Sequence, residues 1–280
     1  MTDCYYLNGA LLPTTDCRLG VTDRSYLLGD GLFETMLVRR GKPVYFAEHL
    51  QRLLTSCVAF DYNAPSQDKL TDSVREVIEA NALEAAALRL TISPQESEGL
   101  LCAPDSTLNI LITFRRGEQY TQSLYERGLT ALIAQTTRRN EQSPLSRHKT
   151  TNFMDSILAR KEARSRNADE AILLNTKGHL AEGSVSNLFL IKDGEILTPR
   201  IADGALPGII RGKVLELCKE KGLAVRETVL TPQDFKQADE AFLTNSLLGI
   251  MPLFKAESRV LDSAASGSLT CTLADVFGHS

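Results

Sequence analysis

A chain of 280 residues with 43% hydrophobic content has enough apolar material for a core in each of two α/β domains. Its formal charge of −4, with 31 Lys and Arg scattered among 35 Asp and Glu, leaves no basic stripe for a phosphate backbone and excludes nucleic acid as an expected partner. The six cysteines lie far apart, without a Cys-x-x-Cys pair or a Cys/His spacing suited to zinc, so a reduced, cytoplasmic protein with no metal site is expected.

The opening MTDCYYLNGALLP lacks the basic and then apolar regions of an export signal, and no run of about 18 apolar residues offers a membrane span. An unexported protein with no membrane partner is expected. The same residues read as strand, Asn-Gly turn, strand. From Leu32, LFETMLVRR alternates as a strand, Gly41-Lys42 turns the chain and PVYF pairs back. Phe46 to Ala59 carries Leu50, Leu53, Leu54 and Val58 at helical spacing. A second helix is expected over Gln67 to Asn81, followed by strands LRLTI and TLNILITF. The charged, aperiodic RRGEQYT from Arg115 marks a boundary, giving an N-terminal α/β domain over 1–117, a linker at 118–122 and a C-terminal domain over 123–280.

Strand LTALIAQ opens the second half, and the polar run TTRRNEQSPLSRHKTTN precedes the helical FMDSILARKEARSR. Thr150, Thr151 and Asn152 are expected N-caps of that helix, with Lys149 in the loop ahead of it. Strands EAILLN and HLAEG follow, then VSNLFLIKDGEILTP, a hairpin turned at Asp193-Gly194. A helix over Gly208 to Lys221 stops at Gly222. Strand LAVRETVL, a short helix at Pro232 to Gln237, strand EAFLTN and a last pair of strands complete the chain.

Four segments carry more than organisation: DRSYLLGDGLFET with EHLQRL, HKTTNFMDSILARKEA, DEAILLNTKGHLAEGSVSNLFLIKDG, and ALPGIIRGKV with DEAFLTNSLLGIMPL. In order and spacing the chain resembles, over nearly its whole length, the fold-type IV enzymes that use pyridoxal 5′-phosphate (PLP). That group contains D-amino-acid and branched-chain aminotransferases and 4-amino-4-deoxychorismate lyase. The resemblance implies an α/β (α+β) two-domain fold of the D-amino-acid-aminotransferase type, with a small N-terminal α/β domain and a larger C-terminal pseudo-barrel. It also implies a homodimer acting on a small-molecule substrate.

A lone lysine is ordinarily a solvated surface charge, but Lys149 in HKTTN matches the lysine that holds PLP as an imine and then moves a proton. Glu182 in AEGSVSN matches the carboxylate that keeps the pyridine nitrogen protonated. A phosphate wants helix-start amides, hydroxyls and one fixed cation. The resemblance assigns these to Ile209 and Ile210, to Ser246 beside Asn245, and to Arg52 in HLQRL. The Gly29–Gly31 GDG lacks the third glycine and following helix of a dinucleotide fingerprint; it reads as a turn that brings Phe33 and Thr35 toward substrate. His49 and His148 read as structural histidines.

The reaction is the finer question. TNSLLGIMP (Thr244 to Pro252) resembles the lyase form, and Phe153 stands where aminotransferases often carry Tyr. The expectation is therefore a 4-amino-4-deoxychorismate lyase of folate synthesis, releasing 4-aminobenzoate and pyruvate. The alternative is a class IV aminotransferase for D- or branched-chain amino acids, and a third reading is a binding module that has lost activity. Ser93, Pro94 and Gln95 follow LRLTI where many family members continue with an Arg-Gly pair for the substrate carboxylate. Arg89, Arg24 and Arg147 are the candidates to replace it.

Overall fold

The computed structural model describes residues 2–95, 99–102 and 106–277. The chain divides into two compact units, Met1–Gln119 with His148–Asn152, and Tyr120–Arg147 with Phe153–Ser280. The sequence placed 148–152 with the C-terminal half; these five residues belong to the first unit. None of the described helices is long and apolar enough to cross a membrane.

The first unit is built on β1 (Cys4–Leu7), β2 (Ala10–Pro13), the short α1 (Arg24–Leu28), β3 (Leu32–Arg39) and β4 (Lys42–Pro43). Helices α2 (Phe46–Ala59) and α3 (Gln67–Ala80) and strands β5 (Ala85–Pro94) and β6 (Leu108–Arg116) follow. The six strands form one sheet in the order β2-β1-β6-β5-β3-β4, antiparallel throughout. Strand alternation sends Leu32, Met36 and Val38 of β3 into a core with Leu50 and Leu53 of α2 and Val74 and Val77 of α3. The expected strand PVYF shrinks to Lys42–Pro43, because Tyr45 takes a left-handed conformation that turns the chain directly into α2.

The segment 148–152 is stitched to the start of β3. Phe33 N–H donates to the Lys149 carbonyl at 2.9 Å and Thr151 N–H to that of Gly31 at 2.9 Å, with Leu32 bridged to Thr150. Thr151 Oγ1 and Asn152 Nδ2 donate to the Gly29 carbonyl at 2.6 and 2.8 Å. A Cβ on Gly31 would lie 2.8 Å from Ser25 Cβ and 3.1 Å from Thr151 Oγ1, so only glycine permits this approach. Thr150, Thr151 and Asn152 are therefore not helix caps: the next helix has Phe153 at its N-cap and no side-chain cap, and the Thr151 and Asn152 side chains turn instead to the Gly29 carbonyl.

The second unit contains α4 (Gln122–Arg127), β7 (Leu129–Ile133), α5 (Met154–Ser165), β8 (Glu170–Leu174), β9 (Leu180–Gly183), β10 (Asn187–Lys192) and β11 (Glu195–Pro199). It continues with α6 (Ile209–Glu220), β12 (Val225–Thr228), α7 (Pro232–Gln237), β13 (Glu240–Asn245), β14 (Gly249–Ala256), β15 (Arg259–Val260) and α8 (Leu269–Val276). Its strands run β12-β11-β10-β13-β14-β7-β8-β9, with β15 on β14. The β7 pairs with β8 and β14, and the β11 pair with β12, are parallel and the rest antiparallel. Near-continuous apolar runs in β8, β10 and β13 are buried on both faces, as parallel and mixed sheets require. The pseudo-barrel expected of the C-terminal part takes the form of a half-barrel.

One buried polar knot ties the first unit together. Asp23 caps α1, accepting from the Ser25 and Tyr26 amides, and also accepts from Ser93 Oγ at 2.8 Å and Asn109 Nδ2 at 2.6 Å. Burial would raise its carboxyl, but the hydrogen bonds from Ser25, Asn109 and Ser93 outweigh it and leave the pKa below the ordinary 3.8. Asp23→Ala removes the cap and strands two buried donors, so a loss of about 3 kcal/mol is expected in denaturant unfolding. An Asp23→Asn protein should approach wild-type stability as the pH falls through the lowered pKa, because a depressed carboxyl contributes only while ionised.

Candidate active site

In the first unit the site begins with a strand face. Phe33 and Thr35 of β3 lie opposite Thr91 and Arg89 of β5, so the four side chains share one side of the sheet, away from the Leu32–Met36 core. The Phe33 ring has two cations against it, Arg89 Cζ at 3.6 Å and Lys149 Nζ at 4.4 Å from its centroid. Since the Phe33 amide also holds the Lys149 carbonyl, one residue fixes both the backbone and the amine of that lysine. His148 Nδ1 meets Ser56 Oγ at 2.9 Å, fastening the same loop to α2.

Arg52, one helical turn before Ser56, is set by its neighbours. Its Nε and Nη2 donate to Glu34 Oε1 and Oε2 at 2.8 and 2.6 Å. Of the other carboxylate candidates, Arg24 is buried, with Nε donating to Asp30 at 2.7 Å and Nη2 to the Leu100 carbonyl at 2.6 Å. Arg147 is exposed and lies in the second unit.

In the second unit Glu182 is buried at the end of β9. Arg139 Nε lies 3.0 Å from Oε1, and Leu206 N–H donates to Oε2 at 2.9 Å. Asn187 Nδ2 donates to the Leu206 carbonyl at 2.8 Å and sits 3.5 Å from Glu182 Oε2. These partners orient the carboxylate and surround it with positive charge and N–H dipoles. Asn187 also abuts the start of α6: a Cβ on Gly208 would fall 1.9 Å from Asn187 Oδ1, so glycine is required there. The helix starts at Ile209 with no side-chain cap, which leaves the first-turn amides of Ile209 and Ile210 and the positive end of the helix dipole for something else. Asn187 pairs in register with Thr244 on β13, and among the described residues the buried Thr244 Oγ1 has no hydrogen-bond partner.

Within the second unit the structure thus brings Glu182, Asn187 and the α6 start together, and in the first it brings Lys149, Phe33 and Arg89 together. Asn245 is held within its own turn. Its Oδ1 accepts from the Leu247 and Leu248 amides at 2.9 Å and its Nδ2 donates to the Val185 carbonyl at 3.1 Å, so it shapes the turn that carries Ser246. Arg139, Asn187 and Leu206 escaped the sequence reading. Arg139 lies in a polar run with no periodicity, although the Asn of AEGSVSN was within the quoted motif.

The family model described as amino-transferase class IV matches residues 31–255. The branched-chain-amino-acid aminotransferase of Escherichia coli K12 is 30% identical over 285 residues, 98% of this chain and 92% of that protein. A Methanocaldococcus jannaschii protein provisionally assigned the same name is 31% identical over 97% of this chain and 94% of its own length. Among solved structures, an E. coli branched-chain aminotransferase superposes with a TM-score of 0.92 at 27% identity, covering 99% of this chain and 94% of that one. A Legionella pneumophila protein provisionally assigned as 4-amino-4-deoxychorismate lyase gives 0.83 at 27% identity over 94% and 96%. The chain therefore belongs to the class IV aminotransferase family, enzymes that work with pyridoxal 5′-phosphate.

Proposed function

We propose that this chain is an aminotransferase that takes the amino group of a branched-chain amino acid and gives it to a 2-oxo acid. The observation that carries this reading is likeness to branched-chain aminotransferases through the whole chain, 30% identity over 98% of it and a TM-score of 0.92. That reverses the order of preference drawn from TNSLLGIMP and Phe153.

The residues present fit PLP. A buried carboxylate ringed by donors, an uncapped helix start and an orphaned buried hydroxyl at Thr244 are what a protonated ring nitrogen and a phosphate would satisfy. Lys149 would hold the cofactor, Glu182 its ring nitrogen, and Arg52, the Ile209 and Ile210 amides and Ser246 its phosphate. When bound, PLP supplies the electron sink that lets a proton leave the substrate carbon bearing nitrogen. Lys149 Nζ, 4.4 Å from the centroid of the Phe33 ring, removes that proton and returns it. Arg89, spread over the Phe33 ring and opposite Thr35 across the β3–β5 pair, receives the substrate carboxylate, with Thr35 beside it. Val21, Tyr26, Leu27 and Leu28 are exposed in the first unit, an apolar surface suited to a second copy in a homodimer.

A second reading keeps the lyase. The Thr244–Pro252 stretch and the Legionella neighbour support it. Mixing the PLP-loaded protein with leucine, isoleucine or valine should convert the cofactor to its amine form, and a 2-oxo acid should restore it. If no conversion occurs and 4-amino-4-deoxychorismate instead yields equal 4-aminobenzoate and pyruvate, the lyase replaces the aminotransferase.

Lys149→Ala should abolish both the visible imine absorbance and turnover under either reading. Arg89→Ala should raise KM by about 10- to 100-fold with a smaller effect on kcat, because it removes a charge-assisted contact made already in the ground state. Gly208→Ala should weaken PLP binding in an absorbance titration, since the new methyl displaces Asn187 and with it the partner of Glu182.

A further inference from the structure

A carboxylate on the core face of β3 is an anomaly. Alternation puts Glu34 in line with Leu32, Met36 and Val38, and its side chain is almost wholly buried. Such a group costs several kcal/mol unless it is paired. Here α2 supplies both partners at i and i+3: His49 Nδ1 lies 2.6 Å from Glu34 Oε2, and Arg52 takes both oxygens through Nε and Nη2. Burial alone would raise the Glu34 carboxyl, but the charge and hydrogen bonds of Arg52, and then His49, lower it to about 2. It is therefore an anion across the working pH range.

A merely structural tie between β3 and α2 needs no imidazole. His49 is fully buried and, among the described residues, its Nε2 has no hydrogen-bond partner; its Nδ1 meets the Glu34 oxygen that also takes Arg52 Nη2. With the Nδ1 proton directed at Glu34, the ring fixes the carboxylate plane, and the carboxylate fixes the guanidinium plane. An arginine side chain is otherwise free to sample many rotamers. Glu34 grips one edge of the guanidinium and thereby sets where the rest of it points.

We infer that Glu34, steadied by His49, is a positioning residue: it orients Arg52 for the cofactor's phosphate and so makes the protein select phosphorylated over unphosphorylated pyridoxal. The inference rests on the phosphate role proposed for Arg52. No bond is made or broken by Glu34 or His49.

The test is equilibrium binding to the full-length protein stripped of cofactor, with PLP and pyridoxal titrated separately and followed by the imine absorbance. Glu34→Gln should weaken PLP by about 10- to 100-fold, as loss of a supporting contact does at other preorganised sites, while pyridoxal affinity stays within about twofold. In an Arg52→Ala background the same change should cost nothing further. Glu34→Asp keeps the charge but withdraws the carboxylate by one methylene, and should lose selectivity too; it serves if Glu34→Gln does not fold. Equal weakening of PLP and pyridoxal, or no weakening of either, would overturn the inference and leave Glu34 as a core ion pair. If Glu34→Gln keeps selectivity and Arg52→Ala loses it, the inference fails and the phosphate role stands. If Arg52→Ala also keeps selectivity, both fail together.

Discussion

The backbone bond from Phe33 N–H to the Lys149 carbonyl, 2.9 Å long, joins two segments more than a hundred positions apart. A lysine side chain has four rotatable bonds, and its amine is useful only if the backbone beneath it is fixed. Thr151 and Asn152 close the same joint from the other side by donating to Gly29, and Gly31 allows it by having no Cβ. The ring of Phe33 then lies under both Lys149 and Arg89. Remove the joint and the amine, the arginine and the aromatic ring lose their common reference.

Each unit also carries charge where the surrounding sequence is apolar, and each resolves it by supplying several donors to one carboxylate. Asp23 has four partners drawn from α1, β5 and β6, Glu34 has two from one helix, and Glu182 has Arg139 and Leu206. Buried anions of this kind add little net stability, because desolvation offsets much of the attraction. What they secure is orientation, and for an enzyme that holds a planar cofactor this matters more.

Much of this was legible in advance. The hairpin at Asn8, helix α2 and the stop at Gly222 followed from turn chemistry and apolar spacing, and the four motifs pointed to the family that the whole-chain match shows. Helix α1 was not foreseen, because five residues hold too little periodicity and its signal is the single cap Asp23. The roles expected of Thr151 and Asn152 failed because a cap rule sees only the adjacent helix, whereas the competing carbonyl of Gly29 is distant in sequence. Glu34 was quoted within LFETMLV, and an acidic residue on the apolar side of an alternating strand was a signal that could have been read. The choice of reaction leaned on the nine-residue stretch Thr244 to Pro252 and on Phe153, which say less about chemistry than likeness along the full chain.

The return of 148–152 to the first unit has a consequence for how the protein is made. The ribosome will have released the six strands of the first sheet well before it reaches Lys149, yet the turn at 29–31 has no partner until then. During that interval the start of β3 presents unpaired amides and carbonyls, and a chain stalled or cut after residue 119 keeps them unpaired for good. Closure of this long-range pairing is a late, high-contact-order event. Lys149 is thus also part of the segment whose arrival completes the N-terminal fold.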